Sequence, residues 1–225
     1  MKSVFWGKNA KFVYFSFIFI IITTAIYTCY AREPGWWYIV WNDILAAIPL
    51  FCAMLCEHFY EKKKNVRAVI SGLLWLLFFP NSPYMMTDLK YTSYFSESTY
   101  LEFEQNGANI SAWLIVLNLT VTVILGLLFG MMSMRIVHRI IDKRFGRFCG
   151  IIFCTISILL SSFAIYIGRF ARVNSWDIVR PWFLIEKSLD SLSQFTPYFI
   201  LIFSIATAML YALYCAFDRL IINKK

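Results

Sequence analysis

Three short segments of the chain carry most of the polar residues that could do chemistry. Each one starts, interrupts or ends a long apolar stretch, at positions 42–43, 80–89 and 168–177. Aspartate together with arginine suits general base catalysis, the binding of an anionic group, or a network of buried ion pairs. The residues in these segments that we predict to bind a ligand or partner are Asn42, Asp43, Asn81, Tyr84, Asp88, Arg169, Arg172, Asn174 and Asp177.

The apolar stretches around these segments set the fold class. Of the 225 residues, 60% are hydrophobic and 15% are charged, which is far from the composition of a soluble domain. A helix needs about 20 apolar residues to cross the hydrocarbon core of a bilayer. We therefore predict an all-α, polytopic membrane helix bundle that forms one domain, residues 1–225, with six transmembrane helices at about 12–31, 38–56, 68–87, 111–134, 148–167 and 197–217.

The positions of the basic residues predict the orientation. Fifteen of the 21 Lys and Arg lie before span one, between spans two and three, between spans four and five, or after span six. Positive residues accumulate on the cytoplasmic side of membrane proteins, so both termini are predicted to be cytoplasmic. Five spans with one end outside would break this alternation. The net charge of +8 follows the same distribution, so no nucleic acid is predicted as a partner.

The third span contains two prolines near its predicted outer half. Pro80 and Pro83 lie three residues apart and must bend or break the helix there. Two alternatives follow for the backbone groups that the break releases. Local side-chain hydrogen bonds from Asn81, Ser82 and Thr87 would satisfy them, or carbonyl groups would face a ligand or ion, as in discontinuous transporter helices.

Two further patterns concern packing. Gly126 and Gly130 form a GxxxG motif in span four, which permits close helix approach and marks either a homodimer face or a contact within one bundle. Three polar residues in the outer half of the same span are predicted to form hydrogen bonds between helices, with the lining of a pore as the alternative: Asn118, Thr120 and Thr122.

Two segments are predicted to lie at the outer membrane surface. After Asp177, apolar residues recur at helical spacing opposite charged ones, which indicates an amphipathic interfacial helix. Residues 90–109 mix aromatic and acidic side chains and are predicted to cover the same region. The lipid bilayer is therefore a predicted partner of the chain.

The cysteines and histidines do not suggest a cofactor. The six cysteines form no CxxC pair, and the two histidines belong to no HExxH motif. Most of the cysteines fall within predicted spans, where they serve as small apolar packing residues. We predict no metal site and no cofactor.

All three polar segments carry a resemblance to a known family. The sequences PNSPYMMTDL at 80–89 and GRFARVNSWD at 168–177, together with Asn42 and Asp43, resemble the uncharacterised bacterial multi-pass family catalogued as domain of unknown function 1361. The resemblance covers the chain from span two to the segment after span five. It implies a bacterial plasma-membrane protein and carries no activity.

Three functions remain for the polar segments. The favoured one is a structural or partner-binding membrane subunit, in which the polar residues hold helix ends together or bind another membrane protein. The first alternative is a protein that binds or transports a small solute or a lipid headgroup. The second is a membrane enzyme acting on an envelope or lipid substrate, with Asp88 or Asp177 as general base and Arg169 or Arg172 holding an anion. The enzyme ranks last because no side chain beside a base marks a nucleophile.

Overall fold

The computed structural model describes residues 2–31, 37–94, 110–173 and 175–222. Within these ranges all regular structure is helical and no β-strand occurs, so the predicted all-α class is confirmed. Two 3₁₀ helices accompany the α-helices, at Met85–Tyr94 and Ser175–Val179. The α-helices are α1 (Lys2–Ala31), α2 (Tyr38–Glu61), α3 (Asn65–Phe78), α4 (Asn81–Tyr84), α5 (Ile110–Phe145), α6 (Arg147–Phe170), α7 (Pro181–Ser191) and α8 (Thr196–Ile222).

Five helical stretches are long and apolar enough to cross a membrane. They coincide with predicted spans two to six, and the described apolar part of α1, Lys11–Ile26, is shorter than a span requires. The span at 12–31 therefore remains a prediction. The five stretches are Tyr38–Glu61, Asn65–Lys90, Val116–Phe145, Arg147–Phe170 and Thr196–Leu220.

The core of the bundle forms where α2 packs against α3 and α5. Trp75 of α3 has no exposed surface, and its indole nitrogen donates a 3.0 Å hydrogen bond to Ser133 Oγ of α5. The ring of Trp75 also stacks on Phe153 of α6, with 5.7 Å between centroids. One large side chain thus connects three helices and satisfies its only polar atom, as buried tryptophan requires.

The GxxxG glycines of α5 are buried where this helix packs against the polar segment that follows α3. A Cβ atom on Gly130 would lie 2.6 Å from Ser82 Cβ, and one on Gly126 would lie 2.7 Å from Met85 Cγ. Close approach within one chain, one of the two alternatives, is therefore what these glycines permit. Dimerisation remains a prediction.

The hydrogen bonds predicted for the outer half of span four are confirmed only for Asn118. Thr23 Oγ1 of α1 donates to Asn118 Oδ1 at 2.8 Å, and Asn118 Nδ2 lies 3.3 Å from Thr24 Oγ1. Thr120 is exposed, and the buried hydroxyl of Thr122 has no hydrogen-bond partner among the described residues. The prediction is thus wrong for Thr122 as the structure describes it.

Ion pairs connect α5 and α8 at the end of the bundle where α2 ends and α6 begins, called the basic end below. Arg135 Nε and Arg139 Nη2 lie 2.9 and 2.6 Å from the same oxygen of Asp218. His138 Nδ1 is hydrogen-bonded to the hydroxyl of Tyr211 at 2.7 Å. The sequence analysis explained the basic residues here by orientation alone, so it missed this packing role.

The amphipathic helix predicted after Asp177 is present as α7. None of its residues is buried, and its apolar side chains are exposed or half-buried. Its position at a membrane surface remains a prediction. The predicted cover at 90–109 lies outside the described residues from position 95 onward.

Candidate functional site

The break in the third predicted span positions the site. Helix α3 ends at Phe78, and the chain continues past Pro80 as α4 and then as the 3₁₀ helix Met85–Tyr94. Asn81 Nδ2 donates to the carbonyl oxygen of Phe78 at 3.1 Å, and Ser82 Oγ donates to the carbonyl oxygen of Ala46 at 2.8 Å. Asn81 thus satisfies a carbonyl group at the break by a local bond, as the first of the two predicted alternatives has it. Ser82 bonds to α2 instead, and the Thr87 hydroxyl has no hydrogen-bond partner among the described residues.

Asn42 and Asp88 come from separate predicted segments and meet at this end of the bundle. Asn42 Nδ2 donates a 2.8 Å hydrogen bond to Asp88 Oδ2, and the Asp88 side chain is buried. The positive charge of Arg169, on the last turn of α6, attracts the Asp88 carboxylate. Residues from all three polar segments thus converge, as the sequence predicts.

Asp43 lies on a different face of α2 from Asn42. Its residue is 0% exposed, and neither carboxylate oxygen has a hydrogen-bond donor among the described residues. It lies close enough to Asp88 for the two carboxyl groups to repel each other when both are charged. A buried carboxylate without a donor is costly, so Asp43 must either hold a proton or lie next to a cation.

A cavity of about 820 Å³ opens between α2, the broken third span, α6 and α7. Asn42 and Asp88 line it together, and Asn81 Nδ2 lies 3.4 Å from the hydroxyl of another lining residue, Ser175. Most of the remaining wall is apolar. The other lining residues are Tyr38, Trp41, Leu45, Leu77, Pro80, Tyr84, Met85, Phe163, Ala164, Ile165, Ile167, Gly168, Val173, Ile178, Leu184, Ile185, Ser188 and Leu189.

Helix α7 forms one wall of this cavity, and its C-terminal end is attached to α6. The hydroxyl of Tyr166, a buried residue of α6, donates to the carbonyl oxygen of Ser191. The same hydroxyl lies 3.2 Å from Ser193 Oγ. This contact fixes the end of α7, while Leu184, Ile185 and Leu189 line the cavity.

Four other predicted site residues that the structure describes do not line the cavity: Asp43, Arg169, Arg172 and Asp177. Arg172 is exposed and follows the end of α6 with a φ of 56°, a left-handed conformation that is unusual for a residue with a Cβ atom. Asp177 is half-buried in the 3₁₀ helix Ser175–Val179. Asn174 lies outside the described residues. Of the eight predicted site residues that the structure describes, four line the cavity: Asn42, Asn81, Tyr84 and Asp88.

Sequence reasoning missed the apolar wall and two hydroxyl groups, Ser175 and Ser188. The spacing of apolar residues in α7 indicated a helix with one apolar face, but it did not show that part of this face lines a cavity. Within the described ranges, no three His, Cys, Asp or Glu side chains converge as metal ligands. The described lining thus offers apolar contact area, two amides, two phenols, two serine hydroxyls and one carboxylate.

Residues 41–210 match the protein family of unknown function DUF1361. The chain belongs to this family. The matched range of the DUF1361 protein contains every predicted site residue and leaves α1 outside. Comparison with curated proteins and with solved structures gave no match.

Proposed function

We propose that this DUF1361 protein binds an amphiphilic small molecule of the lipid class in the cavity described above. The observation that carries the proposal is the 820 Å³ volume, which lies in the range of pockets for drug-sized ligands. Mostly apolar walls and a few polar groups suit a molecule with an apolar tail and a polar head. The proposal corresponds to the lipid-binding alternative of the sequence analysis.

The proposed location is a bacterial plasma membrane, with six spans and both termini in the cytoplasm. The distribution of 15 of the 21 Lys and Arg supports this orientation. The cavity would then lie at the extracytoplasmic end of the bundle. The resemblance of the polar segments to a bacterial multi-pass family supports the assignment to bacteria.

The polar lining favours a head group that donates hydrogen bonds. Asp88 is a pure acceptor when it is ionised, and Asn42 already supplies one donor to it. Tyr84 and Asn81 add groups that both donate and accept. A lipid whose head group carries hydroxyl or amino groups therefore fits this lining better than one whose head group has acceptors alone.

The tail would complete the packing of α7. Ile185 and Leu189 line the cavity but are 49% and 61% exposed, and no residue of α7 is buried. An apolar chain in the cavity would cover part of these side chains. Burial of apolar surface contributes about 25 cal/mol per Å², so even a modest contact would stabilise α7 on the bundle.

A partner-binding membrane subunit is the second candidate. Trp182 and Val179 are 83% and 79% exposed, next to the cavity and at the same end of the bundle. A second membrane protein could cover this apolar surface. Catalysis on an envelope or lipid substrate, with Asp88 or Asp177 as general base, is kept as a third hypothesis.

Photocrosslinking would test the binding of a lipid directly. The purified full-length protein would be reconstituted with a phospholipid that carries a photoreactive diazirine in its acyl chain. We expect crosslinks in peptides from α6 and α7 that line the cavity. Ala164→Phe would fill part of the cavity and abolish these crosslinks, whereas Ala208→Phe, at an exposed position on α8, would leave them unchanged.

A rescue experiment would separate binding from stability. In cells with a deletion phenotype, Ala164→Phe and Tyr84→Phe should lose rescue while membrane abundance and melting temperature stay near wild type. Rescue that disappears only in step with folded protein would support a structural role instead. Crosslinks that survive Ala164→Phe would rule out lipid binding in this cavity.

A further inference from the structure

The face of α2 that is buried against α5 carries a polar residue, Asp43, that does not line the cavity, whereas the neighbouring Asp88 does. Asp43 and Ala46 lie on this face and do not line the cavity, unlike Asn42 and Leu45. Asp43 is 0% exposed, and both of its carboxylate oxygens lack a hydrogen-bond donor among the described residues. The proposed lipid site gives this residue no role.

Contacts along the broken third span show what faces Asp43. Ser82 contacts Ala46 and Gly130, and further out Met85 contacts Gly126 and Asp88 binds Asn42. Helices α2 and α5 therefore run in the same direction along this segment. A Cβ on Gly126 would lie 3.4 Å from Ala46 Cβ, so the two helices touch at these positions.

One helical turn beyond this contact, Asp43 on α2 and Thr122 on α5 lie at the same depth. Residues three or four positions apart share a helix face, and Asp43 is three before Ala46 while Thr122 is four before Gly126. Thr122 is 1% exposed, and its hydroxyl has no hydrogen-bond partner among the described residues.

The 3₁₀ helix Met85–Tyr94 is the third element, after α2 and α5, that contributes oxygen atoms. The hydroxyl of Thr87 is buried without a hydrogen-bond partner among the described residues, and Asp88 follows it in the chain. Asp88 is close enough to act electrostatically on Asp43. Helix register and the Asn42–Asp88 bond bring these carboxyl and hydroxyl groups from three elements to the same end of the helix contact. The oxygens of Asp43, Thr87 and Thr122 form no hydrogen bond with one another.

We propose that Asp43, Asp88, Thr87 and Thr122 bind a sodium ion. Hard cations prefer oxygen ligands, and oxygens that share a cation need no hydrogen bonds between them. With an ion bound, both carboxyl groups would be ionised. Arg169 offsets one of the two negative charges at Asp88, so the remaining charge matches a monovalent cation. The close approach of α2 and α5 at Gly126 favours a small ion.

The broken third span supports the same assignment. Helix breaks at membrane depth commonly place cation sites in transporters, where side-chain and backbone oxygens replace the hydration shell. Here the break at Pro80 allows the chain to enter the 3₁₀ helix that carries Thr87 and Asp88. Sodium binding would stabilise the packing of this helix against α2 and α5.

Thermal unfolding of the purified full-length protein in detergent would test the proposal. The buffer would hold pH and ionic strength constant while sodium chloride replaces choline chloride. We expect the unfolding midpoint to rise with sodium and to saturate, with a much smaller rise for potassium chloride. Binding of radioactive sodium to the same sample should saturate at about one ion per chain, as the single net negative charge implies.

Asp43→Asn should abolish the sodium-dependent rise. Its midpoint in sodium-free buffer should equal or exceed that of wild type, because the neutral amide needs no counter-ion. Thr122→Val keeps the side-chain shape and should weaken sodium binding at least several-fold. Ser162→Ala, which removes a buried hydroxyl between α6 and α8, is the matched control and should leave the sodium response unchanged.

Three results would overturn the proposal. The first is an equal response to sodium, potassium and choline, which would indicate ionic strength alone. The second is a midpoint that depends on pH but not on sodium, which would indicate that Asp43 binds only a proton. The third is an unchanged sodium response in Thr122→Val, a variant that keeps the test decisive even if Asp43→Asn fails to fold.

Discussion

Asn42 Nδ2 and Asp88 Oδ2 are joined by a 2.8 Å hydrogen bond between residues 46 positions apart in the chain. This bond attaches the 3₁₀ helix after the break to the first turns of α2. It also places an amide and a carboxylate together on the cavity wall. Its loss should therefore affect both the stability of the bundle and the chemistry of the cavity.

Asn42→Ala should lower the free energy of unfolding by about 1.5–3 kcal/mol, the usual value of a hydrogen bond to a charged group. The buried Asp88 would lose its amide donor. Asn81→Ala is the matched control, since it loses bonds to a carbonyl oxygen and a hydroxyl and should cost about 0.5–1.5 kcal/mol. Unfolding in mixed detergent measures both. An equal loss in the two variants would show that the charge of Asp88 contributes nothing.

Gly130→Ala should destabilise the protein by about 1–3 kcal/mol, as overpacking commonly does. The new methyl group would lie 2.6 Å from Ser82 Cβ and push α4 away from α5. Gly72→Ala is the control, because its nearest neighbour, Cys56 Sγ, lies 3.8 Å away. Replacing this helical glycine should be neutral or stabilise by up to about 1 kcal/mol. Equal melting temperatures for the two variants would contradict the close helix contact.

Asp218→Asn should reduce stability by about 1–3 kcal/mol, less than the loss of a fully buried pair because water reaches these side chains. The two guanidinium groups of Arg135 and Arg139 would lose their shared carboxylate at the basic end. Asp190→Asn, on the exposed surface of α7, should change stability by less than about 0.5 kcal/mol. Thermal melting of both variants measures the two losses of stability. If Asp218→Asn leaves the melting temperature unchanged, the packing of α8 does not depend on this ion pair.

Single cysteines at the two ends of the bundle should react differently in intact cells. Lys90→Cys lies at the predicted outer end, and Lys62→Cys and Lys143→Cys lie at the basic end, all at exposed positions. In a background without the exposed Cys29 and Cys149, an impermeant maleimide should label position 90 alone. Permeabilised cells provide the control, in which all three positions react. Labelling of positions 62 and 143 in intact cells would show that the orientation is the opposite of the predicted one.

Local sequence chemistry predicted the break in span three and the apolar stretches of spans two to six, but not where every helix ends. Helix α5, for example, continues to Phe145, past the predicted end of span four at 134. Pro80 removes a backbone donor wherever it is placed, so a helix that continues unbroken from α3 through Pro83 is disfavoured by the sequence itself. Apolar length likewise fixes which stretches can cross a bilayer. These properties depend on neighbours along the chain, which is why they could be read without a structure.

The site was predicted only in part, because side chains close in sequence point in different directions. Asn42 and Asp43 are neighbours, but a helix separates adjacent residues by about 100°, so one lines the cavity and the other faces α5. Arg169 and Arg172 are three positions apart and would share a face if the helix continued. The helix ends at Phe170, and Arg172 takes a left-handed conformation and becomes exposed.

The sequence by itself determined the helical class, the apolar stretches, the break at Pro80 and the clustering of polar residues toward one end. Only the tertiary structure decided that α7 lines a cavity and that Gly126 and Gly130 pack against Met85 and Ser82. It also decided that Thr122 has no hydrogen-bond partner among the described residues. Hydropathy and backbone chemistry act over a few residues. Cavities and unsatisfied oxygens arise where distant helices meet, and their packing depends on shapes that no single segment specifies.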